Sequence, residues 1–438
     1  MPSAAFLIQA AMTEYQCHTL ANGLRVVTVP MPHHHSTEIL ISLGVGSRHE
    51  AQRKAGASHF LEHMLFKGSA DFPSGIALER AFETLGGSAN AATDTETTCF
   101  HSRIHPDHIA PGIALFASML RRPLFNGIEV ERRIILEEAL SDLSETGRQI
   151  NPDNLVAALM FPKHPLGRPT IGTQPSIERL TLPQLQQHYQ TYYTPANTVL
   201  AVAGQIDTPQ ILNASELAFS SWQGGMPAPP QPWVATDSSG PALRWVRDAG
   251  SQVSLQLAFQ LPGRSDPHAV NLRVLRRVLG WGGMSRLMIR LREELGLAYA
   301  VEAALAMYAE TGLLAVDLAV SPDNLVAATE AILEIFAELA AENIAEEELS
   351  HVLNSYRYDL EYSRDQVDEM ALRYAWGELT GCIRTLAGDL ADLDRVTADS
   401  LRQTAETFFT PTRLHGAIVG PYQSRDRKQI GQLLTAWG

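Results

Sequence analysis

The chain repeats itself at half its own length, and this limits its fold more than any other feature. Tyr192-Tyr193-Thr194-Pro195 recurs as Phe408-Phe409-Thr410-Pro411, and Ala201-Val202-Ala203-Gly204 recurs as Ala417-Ile418-Val419-Gly420, both at an offset of 216 residues (192 to 408, 201 to 417). The same offset pairs Leu185 with Leu401 and Arg48 with Arg264. A period this long in a chain of 438 residues describes two related domains in tandem, not a solenoid of short units. Between the copies, 224–232 and 237–241 are rich in Pro and Gly. Pro lacks the amide proton that a sheet or helix uses, so the stretch reads as a linker and divides the chain into domains 1–229 and 230–438.

The alternating segments 37–43, 198–202, 253–259 and 313–318 read as strands, whereas the longer amphipathic stretches 113–120, 324–340 and 346–360 read as helices. Strands and helices mix without strict βαβ alternation. An α+β fold with mostly antiparallel sheets, one in each half, follows.

Chemistry concentrates in His59-Phe60-Leu61-Glu62-His63. On a helix, positions i and i+4 stack on one face, so His59 and His63 can point at one ion with Glu62 beside them. The order is that of the inverted zinc-peptidase motif, in which two imidazoles hold the metal and the carboxylate takes a proton from water. Leu61 and Leu65 recur on the other side of the turn and Gly68 offers a stop. Catalytic zinc generally needs a third protein ligand. A second helical stretch, 131–140, offers Glu131, Glu137 and Glu138; Glu131 and Glu138 stand seven apart and share a face. One would serve as ligand and one as an orienting carboxylate. At the 216-residue offset, His59, Glu62, His63 and Glu138 fall on Leu275, Val278, Leu279 and Asn354, so the second half lacks the site and each chain holds one.

These segments resemble the pitrilysin/insulinase family of zinc metallopeptidases. Within it, the chain is similar to the short-chain branch of the mitochondrial processing peptidase β-subunit and bacterial processing peptidases. The likeness runs through 19–27, 59–68, Gly86-Gly87-Ser88-Ala89-Asn90-Ala91, 131–138, Pro165-Leu166-Gly167-Arg168-Pro169, Tyr193-Thr194-Pro195-Ala196-Asn197 and Arg292-Glu293-Glu294-Leu295-Gly296-Leu297-Ala298-Tyr299. The resemblance implies one Zn2+ per chain held by His59, His63 and Glu138, with Glu137 the alternative third ligand, Glu62 as general base and Glu131 in support. It also implies that Asn90 and Ala91 lie in an edge strand that pairs with an extended peptide, and that Arg292 and Tyr299 bind the substrate. In such relatives two two-domain units close as a clamshell, and the Arg/Tyr pair reaches the zinc of the facing unit. A homodimer, or a heterodimer with a related subunit, is therefore expected. The expected activity is that of a zinc endopeptidase or oligopeptidase; the alternative is a non-catalytic partner of the same fold.

Composition agrees with a globular enzyme: 45% of residues are hydrophobic and 19% charged. The formal charge of −14 argues against a nucleic-acid partner. Cys17, Cys99 and Cys382 are too few and scattered for a disulfide framework. No apolar run approaches the ~18 residues of a membrane span. Residues 1–11 lack a basic leader, which favours the cytoplasm, or the periplasm had a signal been removed. His33-His34-His35 reads as an exposed turn, and 342–348 as an acidic helix start.

Overall fold

The computed structural model describes residues 14–234 and 240–437; the amino-terminal segment 1–11 and the linker residues Asp237 to Ser239 lie outside the described residues. The first sheet comprises β1 (Gln16–Thr19), β2 (Arg25–Pro30), β3 (Thr37–Leu43), β4 (Asn90–Thr93), β5 (Thr98–Ile104) and β6 (Thr198–Gly204). Their spatial order is β1-β2-β6-β3-β5-β4. The second comprises β7 (Ala242–Val246), β8 (Val253–Pro262), β9 (Ala298–Met307), β10 (Thr311–Val320) and β11 (Leu414–Val419), in the order β7-β11-β8-β10-β9. Each sheet has one parallel pair, β2 with β6 and β7 with β11, and is otherwise antiparallel. All four strand segments and all three helical segments read from the sequence are present, most of them longer than read.

The internal repeat extends to hydrogen-bond register. Leu43 faces Thr198 in the first sheet and Phe259 faces Leu414 in the second; Thr37 faces Ile104 and Val253 faces Val320. Every one of these pairs is carried into the other at the 216-residue offset.

Both faces of each sheet are covered, and the covering is exchanged. In β6, Leu200 and Val202 face the core of their own half, while Val199, Ala201 and Ala203 pack with Val367, Met370, Ala371 and Tyr374 of the helix Val367–Thr380 from the second half. Reciprocally, the first-half helix Pro152–Met160 sets Leu155, Val156 and Met160 against Ala258, Ala315 and Ala417 of the second sheet. The alanines beneath each helix let it approach the sheet closely. At the junction, the repeat-related Arg48 and Arg264 share Glu96: Arg48 pairs with it and with Glu310 (2.6 Å), and Arg264 reaches it at 2.5 Å. Residues 224–232 form no helix or strand.

Candidate metal centre

The motif helix spans Ala57–Leu65 and begins where the backbone turns sharply at Gly56, φ +90°. A Cβ there would stand 2.4 Å from the Ile171 carbonyl oxygen, so glycine is required on two counts. No local side chain caps the helix. Instead Glu50, buried, accepts the amide protons of Gly56 and Ser58, each at 2.7 Å. Burial pushes Glu50 up to about 7 against the pull of those two amides. Phe60, Leu61, Met64 and Leu65 are fully buried. Burying them turns His59, Glu62 and His63 toward the opposite, open side.

The second helix, Ile128–Ala139, lies against the first and buries Ile135 and Ala139. Arg132 fastens the two, its guanidinium 5.4 Å over the Phe60 ring while it donates to the Leu180 carbonyl at 2.7 Å. This arrangement presents Glu138 between the imidazoles: Nε2 of His59 stands 3.5 Å from one carboxylate oxygen and Nε2 of His63 stands 3.6 Å from the other. One ligand atom from each of His59, His63 and Glu138 lies within 4.8 Å of the others. Glu137, one residue and about 100° round the helix, is outside the group.

These separations fit a shared ion. They exceed the ~2.7–3.2 Å of a direct hydrogen bond and lie near the roughly 3.3 Å between ligand atoms that each stand ~2.0–2.1 Å from a tetrahedral zinc. Burial, and the neighbouring His63, lower His59 to about 4, so at neutral pH its imidazole is in the unprotonated form a metal needs. Glu131, buried, stands with Oε2 3.3 Å from Nδ1 of His63 and pairs through Oε1 with Lys67 at 2.6 Å. An Nδ1–H donated to Glu131 leaves the His63 Nε2 lone pair for the ion.

Glu62 lies beside the group. Burial raises its proton affinity, the Thr93 hydroxyl and His63 lower it, and Glu138 raises it. Thr93 donates to Oε2 of Glu62 from β4, the outer strand of the first sheet. Asn90 and Ala91 occupy the same edge strand, next to the motif helix. The sequence reading missed Thr93 and Lys67. Lys67 had a local signal, four residues after His63 in the turn that closes the motif helix. Thr93 had none, because its link to Glu62 is made between strand and helix.

Arg292 and Tyr299 meet each other, guanidinium 5.2 Å from ring centroid, but neither touches His59, Glu62, His63 or Glu138 among the described residues. Arg292 sits in a π-helical segment, Met288–Glu294, and Tyr299 is 83% exposed on the edge strand β9. The His33 to His35 segment is a turn.

Comparison with known proteins places this geometry. The family described as "Insulinase (Peptidase family M16)" matches residues 25–174, and "Peptidase M16 inactive domain" matches 179–356. An uncharacterized zinc protease of Mycobacterium leprae is 34% identical over 424 residues, covering 95% of this chain and 94% of the relative. The chain belongs to the insulinase family, peptidase family M16. Its fold is that of a Helicobacter pylori protease (TM-score 0.85, 21% identity, 93% of this chain and 99% of that one). The periplasmic protease PqqL of Escherichia coli also shares the fold (TM-score 0.78, 20% identity), with 97% of this M16 chain covering 50% of PqqL. The match to the "inactive" description starts inside the first half, at 179, and takes in Leu275, Val278 and Leu279, the motif positions of the second.

Proposed function

We propose that this M16 chain is a zinc-dependent endopeptidase or oligopeptidase that cleaves extended peptides or unfolded segments. The observation that carries this reading is the convergence of His59, His63 and Glu138 within 4.8 Å, with Glu62 on the same helix turn. His59, His63 and Glu138 would hold one zinc ion. When bound there, the ion supplies Lewis acidity that polarises the scissile carbonyl and lowers the pKa of water. Glu62 accepts the water proton at its carboxylate and passes it to the leaving amine. Thr93 keeps that carboxylate oriented, and Glu131 keeps His63 in the tautomer with Nε2 free. The free edge of β4 at Asn90 and Ala91 pairs with the peptide backbone, which fixes conformation while tolerating many side chains.

We further propose that two such units complete the enzyme, as a homodimer or with a related subunit. PqqL, twice this chain's span, supports a two-unit assembly, and the exposed Tyr299 with Arg292 supports a role across that assembly. In this proposal the domains are 1–229, which would hold the metal, and 230–438, which carries Arg292 and Tyr299. Among the described residues no helix is long and apolar enough to cross a membrane.

The test is zinc content and hydrolysis of a quenched peptide library, with Glu62→Gln as control. The expected outcome is about one zinc per chain in both proteins, with turnover reduced about 10²–10⁴-fold in the variant. Wild-type turnover in Glu62→Gln would remove Glu62 from its role, and zinc without turnover in the wild type would favour the non-catalytic reading. A fully active monomer by light scattering would refute completion in trans.

A further inference from the structure

A cavity of about 700 Å³ lies just ahead of the motif helix, between the turn Gln52–Lys54 and the helix Gln174–Arg179. Its size suits a small-molecule ligand. Three of its lining residues are arginines, Arg53, Arg168 and Arg179, and no lining residue is acidic, in a chain whose net charge is −14. Arg53 and Arg179 are exposed and make no hydrogen bond or ion pair among the described residues. Arg168 donates to the Glu50 backbone carbonyl at 2.8 Å, while the Glu50 carboxylate is turned to the amides of Gly56 and Ser58.

The second half shows how the same arginines are answered when a carboxylate is present. At the 216-residue offset and without a gap, Arg168, Gly172, Thr173, Ser176, Arg179 and Thr181 fall on Arg384, Gly388, Asp389, Asp392, Arg395 and Thr397. Thr181 and Thr397 each stand at the N-cap of the helix that follows, which anchors the correspondence at its carboxyl end; the helix before it is capped by Thr173 in the first half and by Thr385, about one turn earlier, in the second. Arg384 grips Asp389 through two hydrogen bonds of 2.9 Å, and Arg395 pairs with Asp392 at 3.1 Å. In the first half both aspartates are replaced by hydroxyl residues, and Arg168, Thr173, Ser176 and Arg179 all line the cavity. The cations are kept and the two aspartates are gone; Glu50 remains an electrostatic neighbour of Arg168, with its carboxylate oxygens bound to the amides of Gly56 and Ser58.

We propose that this cavity binds a small phosphate-type anion of the pyrophosphate class, clamped by Arg53, Arg168 and Arg179. The guanidinium fork matches phosphate oxygens in pairs. Arg53 precedes the motif helix by only a few residues, so an anion held there ties that helix start to the 168–179 segment. Binding to the native state alone raises stability.

The test is calorimetric titration of the full chain with inorganic pyrophosphate at fixed ionic strength, and it does not depend on peptidase activity. Saturable binding near one per chain is expected, weakened about tenfold or more in Arg53→Ala and in Arg179→Ala. Thr173→Asp, which places a carboxylate on the cavity wall among the arginines and remains a good N-cap residue, should abolish it. Circular dichroism confirms that each variant is folded. Wild-type heats no larger than dilution, or an unchanged affinity in either Arg179→Ala or Thr173→Asp, would overturn the proposal.

Discussion

Replacing Thr93 by Val tests whether Glu62 acts as a base whose proton affinity is set by one strand residue. The side chains have the same shape, so the pairing of β4 with β5 should survive, while the 3.4 Å contact between the Thr93 and Thr98 hydroxyls goes. What is lost is the hydroxyl that donates to Oε2 of Glu62. A hydrogen bond to a charged group is worth ~1.5–3 kcal/mol, which corresponds to about 10–100-fold in a step that needs the carboxylate. The sign follows from the balance at Glu62: burial already raises its pKa, and Thr93 is the largest influence lowering it. Removing Thr93 raises the pKa further, so less carboxylate is present at a given pH and the acid limb of the kcat/KM profile moves to higher pH. The loss of rate should be largest below that limb and shrink well above it, with KM and zinc content unchanged. Thr93→Ser should restore the profile. Superimposable pH profiles for wild type and Thr93→Val would refute the reasoning, as would an equal loss at every pH accompanied by loss of metal.

Other consequences can be checked independently. Asp317, pushed up to about 6 by burial and by nearby Asp153 and Glu302, binds its proton more tightly folded than unfolded; its contribution is fully present below about 4 and lost as pH rises through about 6. Asp317→Asn should therefore be the more stable protein at about pH 8, by at most ~3 kcal/mol, with the difference vanishing below about pH 4 in urea titrations. Phe161, fully buried against Trp233 at the interface of the two halves, should cost about 3–5 kcal/mol as Phe161→Ala, read from the urea midpoint. Zinc at about a hundred times its dissociation constant should stabilise the wild type by ~2.7 kcal/mol, and calorimetry of Glu138→Ala should show that gain largely lost.

How much could be read from the sequence depended on how local each relation was. His59, Glu62 and His63 sit on one helix turn, so their geometry follows from the helix repeat alone. Glu138 was narrowed to a pair with Glu137, and the turn of about 100° per residue separates them once the helix is docked. Thr93 reaches Glu62 only because β4 lies against the motif helix, a contact that no periodicity announces. The helix Pro152–Met160 was not among the segments read from the sequence, and nothing local announces that its apolar face is buried in the other half. Arg292 and Tyr299 were legible as a pair, whereas the π-helical turn that carries Arg292 has no compositional mark.

The exchanged helices set an order of events during synthesis. The face of the first sheet formed by Val199, Ala201 and Ala203 gains its cover only when the helix Val367–Thr380 has left the ribosome. At ~5–20 residues per second, that apolar face waits about 10–35 s after its own last strand is made. Meanwhile the helix Pro152–Met160 waits with its own apolar side bare for a sheet that does not yet exist. Each half is thus born missing a piece of the other, so the nascent first half needs shielding from its neighbours on a polysome until the chain is almost complete.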